Sequence, residues 1–189
     1  MLFTRIFFKH PLMLGSIIPS SRFLVNRLLR KINWLQDLTI VEYGPGVGTI
    51  TAQILARMTK NSELVVIEKN ADFVQHLEDT FSDPRLKIVH GSAENVRAEL
   101  DRMGLKGADC IISGIPYSTL PNDLREKIMQ ESREALKPSG ALLIYQFTGA
   151  VLPHLRAHFT YIDMDFELFN VLPARLFYCG EACGKPLPS

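Results

Sequence analysis

The segment VEYGPGVGTIT, residues 41–51, constrains the fold more than any other part of the chain. It joins an apolar run, which predicts a buried strand, to a predicted helix through three closely spaced glycines: Gly44, Gly46 and Gly48. Glycine has no Cβ, so such a turn can take positive φ values and let a ligand lie against the backbone. The helix that follows would point free N–H groups at that ligand. The segment therefore predicts a strand–turn–helix unit of an α/β fold with a binding site at the turn.

Two carboxylates narrow the kind of ligand. Glu42 stands two residues before the first glycine, where it would repel a pyrophosphate but suit a cationic ligand such as a sulfonium amino acid. A second apolar run, 64–67, ends in Glu68, and an acidic residue about 20 residues past the glycines is the usual partner of ribose hydroxyls. The third glycine of a dinucleotide fingerprint would fall at Thr49, which disfavours NAD. Together these features resemble the S-adenosylmethionine site of Rossmann-like methyltransferases, with a tight turn that binds no ligand as the alternative.

Strand-like and helix-like segments alternate from residue 38 onward. The predicted strands are 39–43, 64–68, 86–90, 109–113 and 141–147, and the predicted helices are 48–59, 70–80, 93–103 and 121–136. Such alternation indicates a parallel sheet with helices on both faces. Two further strand-like runs, 159–169 and 174–179, follow each other without a helix between them. We therefore expect a C-terminal hairpin that contributes one antiparallel strand.

Charge and composition divide the single expected domain, residues 1–189, into a leader and a core. Residues 1–36 contain six of the 21 Lys and Arg residues and none of the 20 Asp and Glu residues, whereas residues 37–189 are acidic overall. Ser20 or Ser21 is expected to cap a helix that runs to about Ile32. Bulky apolar residues alternate with the basic ones, so we expect residues 1–32 to form a lid that docks on an anionic membrane surface. The alternative is that its apolar residues, Leu24 and Leu28 among them, cap the core.

Four motifs extend the resemblance over nearly the whole chain. They are His10-Pro11 with GSIIPSS (15–21), SGIPYSTLP (113–121), KPSGALLIYQFT (137–148) and NVLPARLFY (170–178). In this order they resemble motifs of bacterial phospholipid N-methyltransferases of the Rhodobacter-type PmtA group. The resemblance implies a Rossmann-like class I methyltransferase with a mostly parallel seven-stranded sheet, a C-terminal antiparallel hairpin and N-terminal amphipathic helices. It implies methyl transfer from S-adenosylmethionine to the amine of phosphatidylethanolamine or its methylated forms, by a cytoplasmic protein peripheral to the inner membrane face.

The same resemblance implies a set of site residues. The implied cofactor-binding residues are Glu42, Gly44, Gly46, Gly48, Glu68, Lys69, Ser92, Ala93, Glu94 and Ser113. Ser92 replaces the aspartate that is usual in the family. Pro116 and Tyr117 resemble the N-x-P-Y loop of ribosomal RNA adenine dimethylases, and we expect Ser113 to stand for the asparagine that orients the amine. Ser113, Pro116 and Tyr117 are therefore the predicted catalytic residues, with Tyr117 either bordering the amine or forming a pocket wall, and no metal ligand is predicted.

A second function class is an RNA adenine N6-dimethylase-like enzyme, whose substrate phosphates the basic leader could hold. Such enzymes need a substrate domain after the sheet, and residues 37–189 offer neither a broad basic face nor positions for aromatic stacking on bases. A protein that has kept the fold but lost catalysis is the third class, which the two carboxylates and the glycine turn disfavour. We therefore expect a phospholipid substrate and no nucleic-acid partner. His10, His154 and His158 are candidate proton acceptors, with surface or packing roles as the alternative.

Overall fold

The computed structural model describes residues 21–170 and 172–180. Its helices are α1 (Arg22–Leu29), α2 (Thr49–Leu55), α3 (Ala71–Thr80), α4 (Val96–Arg102), α5 (Asn122–Ala135) and α6 (Leu152–His158). Its strands are β1 (Thr39–Tyr43), β2 (Glu63–Glu68), β3 (Leu86–His90), β4 (Ala108–Ser113), β5 (Leu136–Gln146), β6 (Ile162–Glu167) and β7 (Ala174–Cys179). Two short 3₁₀ turns, Ala93–Asn95 and Tyr117–Thr119, follow β3 and β4.

All seven strands form one sheet in the order β3-β2-β1-β4-β5-β7-β6. Strands β1 to β5 pair in parallel, and β7 lies antiparallel between β5 and β6. The predicted fold class, including the single antiparallel strand of the C-terminal hairpin, is confirmed. The order reverses between β1 and β4, and in open α/β sheets ligands bind at the carboxyl ends of the strands that flank such a reversal.

The central strands β1, β2 and β4 are buried on both faces, which explains why they are largely apolar runs. One core lies between the sheet and α4, α5 and α6, and it contains Val41, Ile111 and Leu155. The other core lies between the sheet and α1, α2 and α3, and it contains Leu24 and Ile54. Because side chains alternate along a strand, neighbouring residues at the carboxyl edge point to different cores.

Two elements differ from the sequence prediction. Strand β5 begins at Leu136, five residues before the predicted start, and the register with β4 shifts between Ala108 and Cys110. Residues 137–140 bulge out there, since Pro138 has no backbone N–H to donate to a ladder. Helix α6 was not predicted, because Leu155 is its one fully buried residue and the apolar period is short.

Helix α1 is part of the core. The side chain of Ser21 accepts a hydrogen bond from the Leu24 amide at 3.2 Å, which confirms the predicted N-cap. Leu24 and Leu28 are fully buried, so the capping alternative holds for these two residues.

The basic face of α1 meets the edge strand β6. Arg27 Nε lies 2.7 Å from the Glu167 carboxylate, Arg30 lies 2.8 Å from Asp165, and Lys31 pairs with Asp163. Carboxylates of the same chain thus compensate these three cations, and the predicted contact of residues 1–32 with an anionic membrane surface stays a prediction. Residues 1–20, which make up most of the predicted lid, lie outside the described residues. No helix in the described part of the chain is long and apolar enough to cross a membrane.

Candidate active site

The glycine turn between β1 and α2 has the conformation that its sequence predicts. Gly44, Gly46 and Gly48 have φ values of 64°, 57° and 80°. Residues other than glycine rarely adopt these φ values without strain. A Cβ at Gly48 would also lie 2.5 Å from the ring of Phe81, so this position requires glycine for space as well. The turn brings bare backbone to the carboxyl edge of the sheet, beside the point where the strand order reverses.

Glu42 is a buried carboxylate at the base of this turn. It is 2% exposed, and its Oε2 accepts a hydrogen bond from Thr51 Oγ1 at 2.7 Å. Burial, with a smaller contribution from the nearby Glu68, raises the pKa of Glu42 to about 7 against the lowering effect of the hydrogen bond from Thr51. Among the described residues, no Lys, Arg or His forms an ion pair with it. A buried carboxylate without a counter-ion fits a cationic ligand such as the sulfonium and ammonium groups of S-adenosylmethionine.

Glu68 connects the end of β2 to the glycine turn. Its carboxylate accepts hydrogen bonds from the Gly46 amide at 3.2 Å and the Asn70 amide at 2.9 Å. Burial raises the pKa of Glu68, although these backbone bonds oppose the shift. The two bonds fix the orientation of the carboxylate, and each oxygen retains a lone pair that could accept from a ribose hydroxyl.

The predicted adenine-side residues follow the next strand. Glu68 at the end of β2 pairs with His90 at the end of β3, so Ser92, Ala93 and Glu94 begin close to it. Ala93 is buried, and Glu94 lies 3.1 Å from Lys127 of α5, which lowers the pKa of its carboxyl group. Lys69 lies directly after β2, and its carbonyl contacts the His90 ring. The structure thus brings these residues to one rim, with Glu94 already engaged by α5.

The loop after β4 places Tyr117 differently from the predicted contact with an amine. Tyr117 is fully buried in the core beneath α4, α5 and α6, and its hydroxyl lies 3.1 Å from Ser113 Oγ. Burial raises the pKa of this phenol, so it stays protonated at neutral pH. Its ring offers no exposed face, so Tyr117 is a core residue in this structure, and its role as a pocket wall stays a prediction. Pro116 lines a cleft at the surface of the same loop.

The correspondence with N-x-P-Y also needs correction. In that motif the asparagine stands two residues before the proline, which in this chain is Gly114 and not Ser113. Ser113 is fully buried at the end of β4 and turns towards Tyr117. The position that carries the amine-orienting side chain in N-x-P-Y therefore has no side chain here.

Gln146 is a site residue that the sequence analysis did not identify. Its Oε1 accepts from the Tyr117 amide at 3.2 Å, and its Nε2 donates to the Ile115 carbonyl at 2.6 Å. These bonds from the end of β5 fix the loop after β4. A lone amide that follows the apolar run of β5 is the sequence signal that could have indicated it.

The described histidine candidates, His154 and His158, both lie on α6 and are engaged by a neighbouring helix. His154 and His158 of α6 both contact Glu126 of α5, and these bonds lower the pKa of that carboxyl group. They join two helices on the outside of the sheet. His10 lies outside the described residues.

An exposed apolar patch lies at the same edge of the sheet as the glycine turn. Strand β6 runs parallel to β5, so the turn after Glu167 lies where β5 ends. The patch, here called the hairpin tip, consists of Phe23 (48% exposed), Leu168 (63%), Phe169 (71%) and Leu172 (47%). The rings of Phe23 and Phe169 are 5.7 Å apart, and the Ser21 amide donates to Asn170 Oδ1 at 2.9 Å. The start of α1 and the hairpin thus form one surface.

Two guanidinium groups flank the hairpin tip. Arg22 lies over the ring of Phe23 at 5.0 Å, and Arg175 lies over the ring of Phe166 at 5.9 Å. Neither forms an ion pair with a carboxylate of the described residues. Cations and apolar side chains are therefore presented together at this edge.

Comparison with known proteins places this site in a family. The family model of the ribosomal RNA adenine dimethylases matches residues 10–151. The ornithine lipid N-methyltransferase of Singulisphaera acidiphila is 29% identical over 180 residues, which cover 94% of this chain and 94% of that protein. The ribosomal RNA small subunit methyltransferase A of Wolbachia pipientis is 31% identical over 108 residues, which cover 56% of this chain but only 39% of that protein.

Solved structures share the fold at low identity. Human methyltransferase-like protein 13 in complex with SAH superposes with a TM-score of 0.63 at 18% identity, covering 96% of this chain and 85% of that one. The N-methyltransferase NodS of Bradyrhizobium japonicum gives a TM-score of 0.63 at 14% identity, covering 83% and 94%. Together with the glycine turn and its two carboxylates, these matches lead to one conclusion. The chain belongs to the ribosomal RNA adenine dimethylase family and is an S-adenosylmethionine-dependent methyltransferase with the Rossmann-like class I fold.

Proposed function

We propose that this enzyme methylates the amine of a membrane lipid head group, phosphatidylethanolamine or its methylated forms, or the amine of an ornithine lipid. The observation that carries the proposal is the end-to-end similarity to an ornithine lipid N-methyltransferase, over 94% of both chains. The family model ends at residue 151, before the β6–β7 hairpin, whereas a match of 180 residues must include most of that hairpin. The similarity to a lipid enzyme therefore extends to the surface that the ribosomal RNA family model does not cover.

The hairpin tip supports a substrate embedded in a membrane. Exposed aromatic and leucine side chains beside cations suit the layer between lipid head groups and acyl chains. The hairpin tip lies at the same edge as the glycine turn, so a lipid held there could bring its head group to the site. In the described part of the chain, this surface replaces the basic face of α1 as the proposed membrane contact.

Methyl transfer depends more on the alignment of the methyl donor with the amine than on acid–base groups. S-adenosylmethionine supplies an electrophilic methyl group on a sulfonium. Glu42 balances the cationic charge of the bound donor, Glu68 orients its ribose, and Gln146 holds the loop that faces the acceptor. An alkylammonium with a pKa near 10 costs roughly 4 kcal/mol to deprotonate at pH 7, and desolvation at the site would reduce that cost.

A labelling experiment tests the proposal. The purified chain is incubated with methyl-labelled S-adenosylmethionine and with vesicles containing phosphatidylethanolamine, vesicles containing ornithine lipid, or ribosomal RNA. We expect label in one or both lipids, and roughly tenfold less at subsaturating S-adenosylmethionine when Glu68→Ala replaces the wild-type protein. Label in RNA and in neither lipid would reject the proposal.

Ribosomal RNA adenine dimethylation is the second candidate, because the family model and Pro116-Tyr117 favour it. The relatives with that activity are much longer than their match to this chain, which covers 39% of the Wolbachia protein. The RNA arm of the labelling experiment decides between the two.

A further inference from the structure

The loop between β4 and α5 is here called the acceptor loop. Gly114, at the start of this loop, lies next to the side chain of Tyr145 in β5. A Cβ built on Gly114 would lie 2.4 Å from the Tyr145 hydroxyl oxygen and 3.0 Å from Cζ. Gly114 is not among the glycines with positive φ, so its backbone does not call for glycine. Its lack of a side chain therefore makes room for the phenol, which takes the space that a side chain at residue 114 would enter.

The phenol lies where the cofactor turn and the acceptor loop meet. The Gly114 amide donates to the Tyr43 carbonyl at 3.0 Å, directly before the glycine turn. The Cβ position of Gly44 lies 3.9 Å from the Gly114 carbonyl carbon. Tyr145 is half-buried and lines the same cleft as Gly114 and Pro116. It is thus a polar group that borders both the turn and the loop.

Tyr145 also points to the face of the sheet that carries Glu42. Glu42 pairs with Ile112, and Ile112 pairs with Leu143, so these three residues share a face. Tyr145 stands two residues beyond Leu143, on the same face. Tyr117, in contrast, packs into the core on the opposite face.

We propose that Tyr145 is the acceptor-binding residue, and that its hydroxyl replaces the side chain missing at residue 114. A phenol oxygen can accept one hydrogen bond from an amine N–H, which leaves the nitrogen lone pair free to point at the methyl carbon. The N–C bond then forms as the S–C bond breaks, and the proton shed by the ammonium beforehand goes to water. One acceptor suffices for a tetrahedral aliphatic amine, whereas a planar amino group on a base needs partners in its plane. The inference rests on the proposed lipid amine substrate.

The test compares two phenol-to-phenyl variants, Tyr145→Phe and Tyr117→Phe. Tyr145→Phe removes the hydroxyl but keeps the ring, and Tyr117→Phe removes a buried hydroxyl on the other face of the sheet. Steady-state rates are measured with phosphatidylethanolamine and ornithine lipid in mixed micelles, cofactor affinity by calorimetry, and folding by thermal unfolding. We expect Tyr145→Phe to lower kcat/KM for the lipid about tenfold, with cofactor affinity within about twofold of wild type and unchanged unfolding.

A second variant tests whether a side chain at residue 114 and the Tyr145 hydroxyl compete for the same space. Gly114→Ala should lower kcat/KM on its own, because its Cβ would displace the Tyr145 hydroxyl, and it should add less than its full effect in the Tyr145→Phe background. Equal kcat/KM for wild type and Tyr145→Phe on a lipid that the enzyme methylates would overturn this inference alone. A wild-type protein that labels RNA and no lipid would overturn both this inference and the proposed function.

Discussion

At the scale of single residues, the candidate site centres on a buried carboxylate that forms no ion pair within residues 21–170 and 172–180. Glu42 is held by Thr51 and lies beneath the glycine turn, and burial raises its pKa to about 7. Below about pH 7 the free enzyme therefore holds a proton on Glu42, which would be released when a cationic ligand binds. Such a buried carboxylate destabilises the cofactor-free protein and favours the cofactor-bound protein. Perturbed carboxylates of this kind are typical of binding sites.

The first prediction concerns pH and cofactor affinity. Because the cation binds to ionised Glu42, the dissociation constant of S-adenosylmethionine should increase as pH falls below about 7, by up to tenfold per pH unit. Calorimetry from pH 5.5 to 8.5 measures this slope. Glu42→Gln should bind weakly at every pH, without the slope, and a wild-type affinity that is flat across this range would contradict the assignment.

The same variant has a stability signature with a defined sign. The folded state holds a proton on Glu42 between the ordinary carboxyl pKa of 4.5 and about 7, whereas the unfolded chain has released it. The cofactor-free protein therefore loses stability as pH rises through this window. Glu42→Gln should remove that loss, so its melting temperature should exceed that of wild type at pH 8 but not at pH 4.5.

The second prediction concerns Glu68. Its carboxylate, oriented by two backbone amides, is expected to bind the ribose hydroxyls, and losing such charged hydrogen bonds costs about 1.5–3 kcal/mol. Glu68→Ala should therefore weaken cofactor binding roughly tenfold or more. Glu63→Ala at the other end of β2 is the matched control and should bind normally. Unchanged affinity in Glu68→Ala would reject the ribose role.

At the scale of elements, the acceptor loop is held by a neighbouring strand. Gln146 at the end of β5 bonds the backbone of Ile115 and Tyr117. Strand β5 pairs in parallel with β4, so Gln146 and the loop after β4 lie at the same edge of the sheet.

The third prediction follows from that contact. Gln146→Leu removes both side-chain hydrogen bonds to the loop, so the Tyr117 amide and the Ile115 carbonyl keep only the bond between them and the loop should become more mobile. We expect turnover of the lipid to fall about tenfold or more while cofactor affinity changes less than threefold, because the glycine turn is untouched. Gln130→Leu on the exposed side of α5 serves as the control. Equal losses of turnover and cofactor affinity would instead indicate a general structural defect.

The limits of the sequence prediction also lie at this scale. The glycine turn and the two carboxylates follow from local spacing, since strand, turn and helix are consecutive. Gln146 and Tyr145 reach the loop only through the pairing of β4 with β5, about thirty residues apart in the chain. The face to which Tyr117 turns is decided by core packing, which no local pattern encodes. The irregular start of β5 was missed because Pro138 and Gly140 are typical of turns.

At the scale of the whole molecule, the basic leader forms ion pairs with the acidic remainder of the chain. Three cations of α1 and just after it pair with Asp163, Asp165 and Glu167 of β6. Glu167 is 2% exposed, so it depends on Arg27 for compensation. The charge asymmetry of the sequence is therefore used partly inside the fold, so we expect the proposed membrane contact to depend mainly on other residues.

The fourth prediction assigns that contact to the hairpin tip. Phe169→Ser combined with Leu168→Ser removes two exposed apolar side chains, each worth about 1.5–3 kcal/mol if buried in lipid. Arg22→Gln removes a cation worth about 1 kcal/mol near an anionic surface. Flotation with anionic vesicles should show binding that the apolar pair strongly reduces and that Arg22→Gln reduces further.

Arg27→Gln is the control that separates this surface from the basic face of α1. It leaves the buried Glu167 without its partner, so we expect a loss of about 1–3 kcal/mol in unfolding free energy. Below the melting temperature its vesicle binding should nevertheless equal that of wild type, because its charge is already neutralised by β6. If Arg27→Gln abolishes flotation while the double serine variant floats normally, the membrane contact lies on the basic face of α1 and not at the hairpin tip.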